Sequence, residues 1–433
     1  MDLLSIYKLF ISGCGICTDS RTVKKGDLFF ALKGDNFDGN KYAAQALENG
    51  AVLAIVDDKN IKDNPSFVKV NNSLEFLQSL ANFHRKQFSI PFIAITGSNG
   101  KTTTKELISA VLSTHYPTHS TKGNLNNHIG VPLTLLSMPA NTEIAVIEMG
   151  ANHQGEINQL CQIAEPTHGV ITNIGKAHLE GFGGVEGVKK GKSELYKYLK
   201  DGYVFINQMD EVLVNLSVEN KKKIVYTLSE SLDLNDGPYE IINLPTEEFL
   251  KVAFHSENGT DIIVQTNLTG LYNLGNIMSA IAIGKYFKVP GIKIKTALEQ
   301  YTPSQNRSQY INFKGAKIIL DAYNANPSSM EAALNNLIAI NHPFKIAILG
   351  DMFELGEAAP SEHLKMAELA NHENIQKVIL IGKNFKDAAQ IKNWVHFDTA
   401  VDAKQYFHSL PFSNSLLLIK GSRGMKLETL LEN

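Results

Sequence analysis

Between Ile93 and Glu106 the chain reads Ile-Ala-Ile-Thr-Gly-Ser-Asn-Gly-Lys-Thr-Thr-Thr-Lys-Glu. An apolar run enters a glycine-bearing turn, and Gly100-Lys101-Thr102 then opens a helix-like segment. Such a turn leaves several backbone N–H groups aimed at one point, where an anion can sit. A lysine and a hydroxyl able to ligate Mg2+ complete a cradle for the phosphates of ATP. The candidate ATP-binding residues here are Gly97, Ser98, Asn99, Gly100, Lys101, Thr102 and Thr103. One position departs from the usual G-x-x-x-x-G-K-[ST] spacing: the residue five before Gly100 is Ile95, and Gly97 lies only three before it. The bend is therefore shorter, or shaped differently, than in ordinary P-loop NTPases. A Gly-Lys-Thr alone also fits a plain strand-to-helix turn; the expected strand Phe92–Thr96 and helix 102–114 favour nucleotide binding.

Three further groups carry side chains capable of chemistry. Glu148 ends the apolar run Val146-Ile147-Glu148, where a carboxylate can hold Mg2+ or simply face solvent. His178 follows a second strand-like run in a glycine-bearing loop, Thr172 to Gly181. Among Lys189, Lys190 and Lys192, Lys192 is the one spaced three and four residues from Leu195 and Tyr196, near the apolar face of a helix. A lysine held there loses part of its preference for the charged form and can react as a neutral amine, for instance with CO2. Asn124, Asn126 and Asn127 form a dense amide cluster, suited to neutral binding of phosphate or peptide groups and equally to a turn.

The elements that must position these residues fall into three α/β segments. Residues 1–88 contain the expected strands 27–32 and 51–57 with a helix at 41–49 between them. Residues 89–301 alternate strands (92–96, 144–148, 169–172, 203–206) with helices (102–114, 185–199). This is the pattern of a mostly parallel, P-loop-type sheet. The runs 224–227, 240–242 and 262–266 differ in character and read as antiparallel, and 273–287 reads as a helix. The polar stretch 302–307 contains Pro303 and suits a boundary. Residues 302–433 then repeat the alternation as a Rossmann-like open sheet, with strands 317–321, 345–349, 378–381 and 416–420 and helices near 327–338, 361–369 and 400–410. Polar clusters follow three of these strands: Asp321 to Asn324, Gly350 to Met352, and Gly421 to Gly424. Ligands of open α/β sheets gather at such carboxyl ends.

Composition excludes several classes. Of 433 residues, 43% are hydrophobic and 20% charged, as in an ordinary globular protein, and a net charge of −3 argues against nucleic acid as a partner. No apolar stretch approaches the roughly 20 residues of a membrane span, and the N-terminus lacks the basic start of a signal peptide. Three cysteines point to a reducing, cytoplasmic compartment. Cys14 and Cys17 make a C-x-x-C, but no second pair or nearby histidine completes a zinc site. Nothing in the sequence calls for an obligate oligomer, so a monomer is expected.

The segment Thr96–Lys105, with its missing distal glycine, resembles the ATP loop of the Mur ligases. The resemblance continues through Thr18–Arg21, Gly26–Phe29, Gly123–Pro132, Ile147–Asn152, Ala177–Gly183, Gly270–Asn276, Leu320–Pro327, Leu349–Gly356 and Lys420–Met425. It therefore covers nearly the whole chain. The last three segments are most similar to the branch that joins D-alanyl-D-alanine to UDP-N-acetylmuramoyl-tripeptide. The Tyr-Ala-His-x-Pro and Asp-Asn-Pro-Arg patterns of the branch that adds the third residue are absent. The resemblance implies catalytic roles for Lys101, His178 and Lys192. It implies Mg2+ sites, two in number, built from Thr102, Glu148, His178 and a carbamylated Lys192. It also implies nucleotide contacts from Asn273, Asn276, Arg307 and Asp321, and UDP contacts from Thr18, Ser20 and Arg21. Asn126, Asn127, Asn324, Asn326, Lys420 and Arg423 would face the remaining substrate groups. One residue departs from the family: Asn306 stands where a glycine usually precedes the arginine, which bears on the conformation of the hinge.

Three rivals are weighed on the sequence alone, one of them a non-catalytic nucleotide-binding partner protein, which intact Lys101, Glu148, His178 and Lys192 argue against. A folylpolyglutamate synthase-like ligase shares the ATP loop but lacks the Thr-Asp-Ser-Arg first domain. An ordinary P-loop phosphotransferase or NTPase is disfavoured by Ile95.

Overall fold

Crossover helices between apolar runs dictate parallel strands, because a strand can pair with its neighbour in the same direction only after the chain has travelled back. The computed structural model follows this rule; it describes residues 1–34, 36–230, 239–246, 248–304, 306–392 and 394–432. The chain forms two compact units: Met1–Ala94 with Pro117–Gly150 and Glu156–Thr167, and Ile95–Tyr116 with Ala151–Gly155 and His168–Asn433. These units do not coincide with the segments 1–88, 89–301 and 302–433, since 89–301 contributes to both.

The first unit contains a four-stranded parallel sheet in the order Ile16–Cys17, Leu28–Phe30, Leu53–Val56, Phe67–Lys69. Phe29, Ala31, Ala43, Ala46, Ala54 and Val56 form its core. The helix Ser73–Arg85 starts at Asn72, whose side chain accepts from the N–H groups of Leu74 and Glu75. At its end Arg85 donates to the carbonyls of Ala164 and Glu165 and lies 3.6 Å over the Phe92 ring. The same unit holds Thr118–Ser120 paired in parallel with Ile144–Glu148.

In the second unit, His168–Ile171, Tyr203–Asn207, Lys222–Leu228 and Glu240–Leu244 pair in parallel, followed by Lys251–His255 and Asp261–Gln265 in antiparallel register. The helix Val185–Tyr198 makes the first crossover. The last two strands are joined by a short turn with Gly259 at φ 73°, so only an antiparallel hairpin is open to them. The antiparallel character expected for 224–227 is thus corrected: that strand is parallel to both neighbours, and the reversal begins at Lys251–His255.

A six-stranded sheet completes the unit in the order Gln309–Phe313, Ala316–Asp321, Leu416–Lys420, Lys345–Gly350, Lys377–Ile381, Val395–Phe397. Only the first pair is antiparallel. Ile318, Leu320, Ile346, Ile348, Leu417 and Ile419 pack its interior. The register places Asp321 beside Lys420 and Lys420 beside Leu349. Three polar clusters far apart in sequence therefore leave adjacent strand ends. Among the described residues no helix is long and apolar enough to cross a membrane.

Candidate active site

Ile95 lies inside the Phe92–Thr96 strand with its side chain fully buried, which accounts for the missing glycine: the bend has not begun there. It occupies Gly97 to Gly100. Gly97 has φ 146°, and a Cβ on it would meet Thr172 Oγ1 at 2.0 Å. Gly100 has φ 77°, and a Cβ would lie 2.6 Å from Asn276 Oδ1. Both positions require glycine on backbone and steric grounds. The Thr172–Gly175 segment holds the loop. Ser98 N–H donates to Asn173 O (3.0 Å), Asn99 N–H to Asn173 Oδ1 (3.0 Å), and Gly175 N–H to Ser98 Oγ (2.9 Å). Lys101 Nζ donates to the carbonyls of Gly97 (2.7 Å) and Ser98 (3.1 Å), and Thr102 is buried. Behind the loop helix Lys101–Ser113, Thr104 Oγ1 donates to Asn276 Oδ1, Asn276 Nδ2 to Asn273 Oδ1, and Asn273 Nδ2 to Thr269 O. The two asparagines thus brace the helix that carries Lys101 and Thr102.

His178 sits at φ 51° at the start of the short helix Leu179–Phe182. Its Nδ1 faces a carboxylate oxygen of Glu354, so Nδ1–H donates and the tautomer with Nε2 as acceptor is favoured. The hydrogen bond from His178 holds the Glu354 carboxyl below the usual carboxylate range. Of the lysines at 189, 190 and 192 in the next helix, Lys190 is exposed, Lys189 half-buried and Lys192 only 1% exposed. Lys192 Nζ donates to Ala151 O (3.0 Å) and lies 5.1 Å from the Phe182 ring centroid, on the helix His178 opens. Gly191 makes room for that ring, since a Cβ there would be 2.4 Å from it. The apolar-face position read from spacing is therefore where the buried lysine stands.

In the first unit Glu148 is buried, and its Oε1 accepts from Asn126 Nδ2 at 2.8 Å. Asn127 Oδ1 accepts from the N–H groups of Ile129 and Gly130, in the turn that leads into the helix Gly130–Leu136. Asn124 is exposed. Thr18, Ser20 and Arg21 follow the Ile16–Cys17 strand. Ser20 is buried, its carbonyl accepting from Asn49 Nδ2 at 2.8 Å. The exposed Arg21 forks onto Asp19, and its hydrogen bonds lower the Asp19 pKa to about 2.

Beyond the six-stranded sheet, Asp321 accepts from Lys420 Nζ and from Ser308 N–H. Lys420 is buried, and Asn324 beside it is exposed. Asn326 caps the helix Pro327–Ala339 in a reciprocal box with Ser329, and its Nδ2 donates to Asn99 Oδ1 of the loop at 2.7 Å. Lys176 pairs with Glu362, and its N–H donates to Ser328 Oγ. Arg307 and Arg423 both lie over the Tyr323 ring, at 3.7 and 5.2 Å. Asn306 has φ 55°, the left-handed conformation that glycine takes freely and asparagine tolerates better than most other residues. Asn306 thus adopts a conformation open to the glycine it replaces. Sequence reading gave no role to Tyr323 or Glu354; both stand in recognised segments, but their partners are remote in sequence. Asp351, in another such segment, is structural: its carboxylate accepts from the N–H groups of Asn384 and Phe385.

Among the described residues no group of three or more His, Cys, Asp and Glu side chains gathers to hold a metal. Mg2+ bound with a nucleotide needs no such cage, because phosphate oxygens and water fill most of its octahedron. The residues fit that use: Thr102 supplies a hydroxyl in the first turn of the loop helix, and His178 keeps Nε2 as an acceptor.

Comparison with known proteins follows the same lines. The family model "Mur ligase family, catalytic domain" matches residues 14–85, the Mur ligase middle domain residues 95–284, and "Mur ligase, glutamate ligase domain" residues 306–423. The UDP-N-acetylmuramoyl-tripeptide–D-alanyl-D-alanine ligase of Bacillus subtilis (strain 168) is 36% identical over 97% of this chain and 92% of its own. A crystal structure of MurF from Acinetobacter baumannii superposes with a TM-score of 0.86 at 33% identity, covering 96% of this chain and 92% of the other. MurF ligase from Thermotoga maritima, solved in complex with ADP, gives 0.83 at 27% identity over 98% and 97%.

Proposed function

The chain belongs to the Mur ligase family, and from that premise we propose the chemistry it performs. It joins D-alanyl-D-alanine to UDP-N-acetylmuramoyl-tripeptide, a step of peptidoglycan precursor synthesis, using ATP. A carboxylate resists attack by an amine because its oxyanion leaves poorly. Transfer of the γ-phosphoryl group to the tripeptide carboxylate gives an acyl phosphate and ADP. The dipeptide amine then attacks the acyl carbon, and the tetrahedral adduct collapses to amide and phosphate while the amine loses a proton.

The observation that carries this reading is a link, within the second unit, between the nucleotide loop and the strand-end cluster of the six-stranded sheet. Asn99 Oδ1 of the loop accepts from Asn326 Nδ2, and Asn326 continues the segment of Asp321 and Asn324, with Lys420 donating to Asp321. Lys101 leaves its carbonyl partners to meet the β- and γ-phosphates and stabilises charge on the transferring group. When bound, Mg2+ would neutralise phosphate charge; Thr102 would ligate one ion, Glu148 would bind Mg2+ too, and His178 with a carbamylated Lys192 would hold a second. Carbamylation would turn the buried ammonium into an anionic oxygen ligand. Asn273, Asn276, Arg307 and Asp321 serve the nucleotide. Thr18, Ser20 and Arg21 serve the UDP moiety, while Asn126, Asn127, Asn324, Asn326, Lys420 and Arg423 serve the peptide groups. The domains run 1–88, 89–301 and 302–433, in keeping with the three family matches. The match at residues 14–85 supports this reading over a folylpolyglutamate synthase-like ligase, which lacks that domain. The enzyme works as a cytoplasmic monomer.

Phosphate release from ATP, measured with UDP-N-acetylmuramoyl-tripeptide in the presence and absence of D-alanyl-D-alanine, tests the reading. Turnover should need both. Equal release with neither would make the chain an NTPase.

A further inference from the structure

We propose that Tyr323 is a positioning residue whose ring holds Arg307 and Arg423 as one clamp, coupling nucleotide binding to dipeptide binding. The proposal rests on the ligase reading above. Both guanidinium carbons lie within the roughly 6 Å at which an arginine is attracted by an aromatic face. The arginines reach the ring from different places in the chain. Arg307 lies before the Gln309–Phe313 edge strand, and Arg423 follows the Leu416–Lys420 strand.

Among the described residues neither arginine has an ion-pair partner, and the nearby Asp321 carboxylate accepts from Lys420 and from Ser308 N–H. Arg307 Nε is buried and has no hydrogen-bond partner among the described residues. The ring face, 3.7 Å from the guanidinium carbon, therefore orients the Arg307 plane. Arg423 is exposed and long, and without a platform it would sample many rotamers. Two cations gathered on one ring favour an anionic ligand beside them, and the reaction brings two: the phosphates of ATP and the carboxylate of the dipeptide. Displacing the ring would loosen both guanidiniums together.

The platform uses the ring face and not the hydroxyl, which defines the test. Steady-state kinetics of Tyr323→Phe and Tyr323→Leu are compared with wild type, alongside direct binding of a fluorescent ADP analogue and melting temperatures. Tyr323→Phe should match wild type. Tyr323→Leu should raise KM for ATP and for D-alanyl-D-alanine about tenfold each, change kcat less, and weaken ADP binding. In combination with Arg423→Gln, Tyr323→Leu should cost less than it does alone, because one partner of the clamp is already gone. Unchanged KM values, a rise for one substrate only, damage equal in Tyr323→Phe and Tyr323→Leu, or full additivity would each overturn the proposal. Should Tyr323→Leu unfold, Arg423→Gln decides: it must raise KM for ATP as well as for the dipeptide, and an unchanged ATP value refutes the coupling. A wild-type enzyme that needs neither peptide substrate would instead defeat the ligase reading itself.

Discussion

The loop at Gly97–Thr102 and the cluster around Asp321 prepare for anions in different ways. The loop is local: its glycines, lysine and threonines lie within a few residues, and it is held by a short neighbouring segment, Thr172–Gly175. Its glycines are fixed by close approach to Thr172 and Asn276. The cluster is assembled from Arg307, Asp321, Tyr323, Lys420 and Arg423, which meet only because one antiparallel and one parallel strand pairing bring their ends together. Backbone geometry therefore sets function in the loop, whereas side-chain pairing sets it in the cluster. Substitutions in the loop should divide cleanly between charge and shape. Those in the cluster should be graded and coupled.

Lys101→Ala sharpens this division most. Removing the ammonium should lower kcat by about 10³-fold, in the range for loss of one stabilising donor, with little change in melting temperature. A large drop in melting temperature would mean that its bonds to Gly97 and Ser98 carbonyls are structural and would blur the comparison. Gly97→Ala should do the reverse. The added methyl meets Thr172 on a backbone that L-residues rarely adopt, so about 3 kcal/mol of stability should be lost in denaturant titration. Asn326→Ala joins the two regions. Loss of its helix cap should cost about 1 kcal/mol, and loss of the bond to Asn99 should add a modest rise in KM for ATP. Asn306→Gly should be the mildest, within about 0.5 kcal/mol of wild type, since the left-handed backbone suits both residues. A Val at that position should be clearly destabilising.

The same contrast explains what the sequence made legible. Phe92–Thr96 is read to the residue because a continuous apolar run stands between Pro91 and Gly97. Lys192 is separable from Lys189 and Lys190 by its spacing to Leu195 and Tyr196, and it is the buried one. Lys251–His255 escapes notice because a lysine and a histidine end a short apolar core, and the partner strand supplies the missing information. Gln309–Phe313 is an edge strand with a half-buried, polar-rich pattern, which resembles a loop. Tyr323 and Glu354 lie in segments recognised by resemblance, yet their functional partners are contacts between distant residues, which periodicity does not encode. Ile95 reverses the usual lesson: an apparent defect in a motif marks where a strand still runs.

The most direct test of the account follows the oxygen atoms. UDP-N-acetylmuramoyl-tripeptide labelled with 18O in its terminal carboxylate, turned over with ATP and D-alanyl-D-alanine, should yield inorganic phosphate carrying one 18O per amide formed, as an acyl phosphate requires. Unlabelled phosphate released alongside amide product would contradict it.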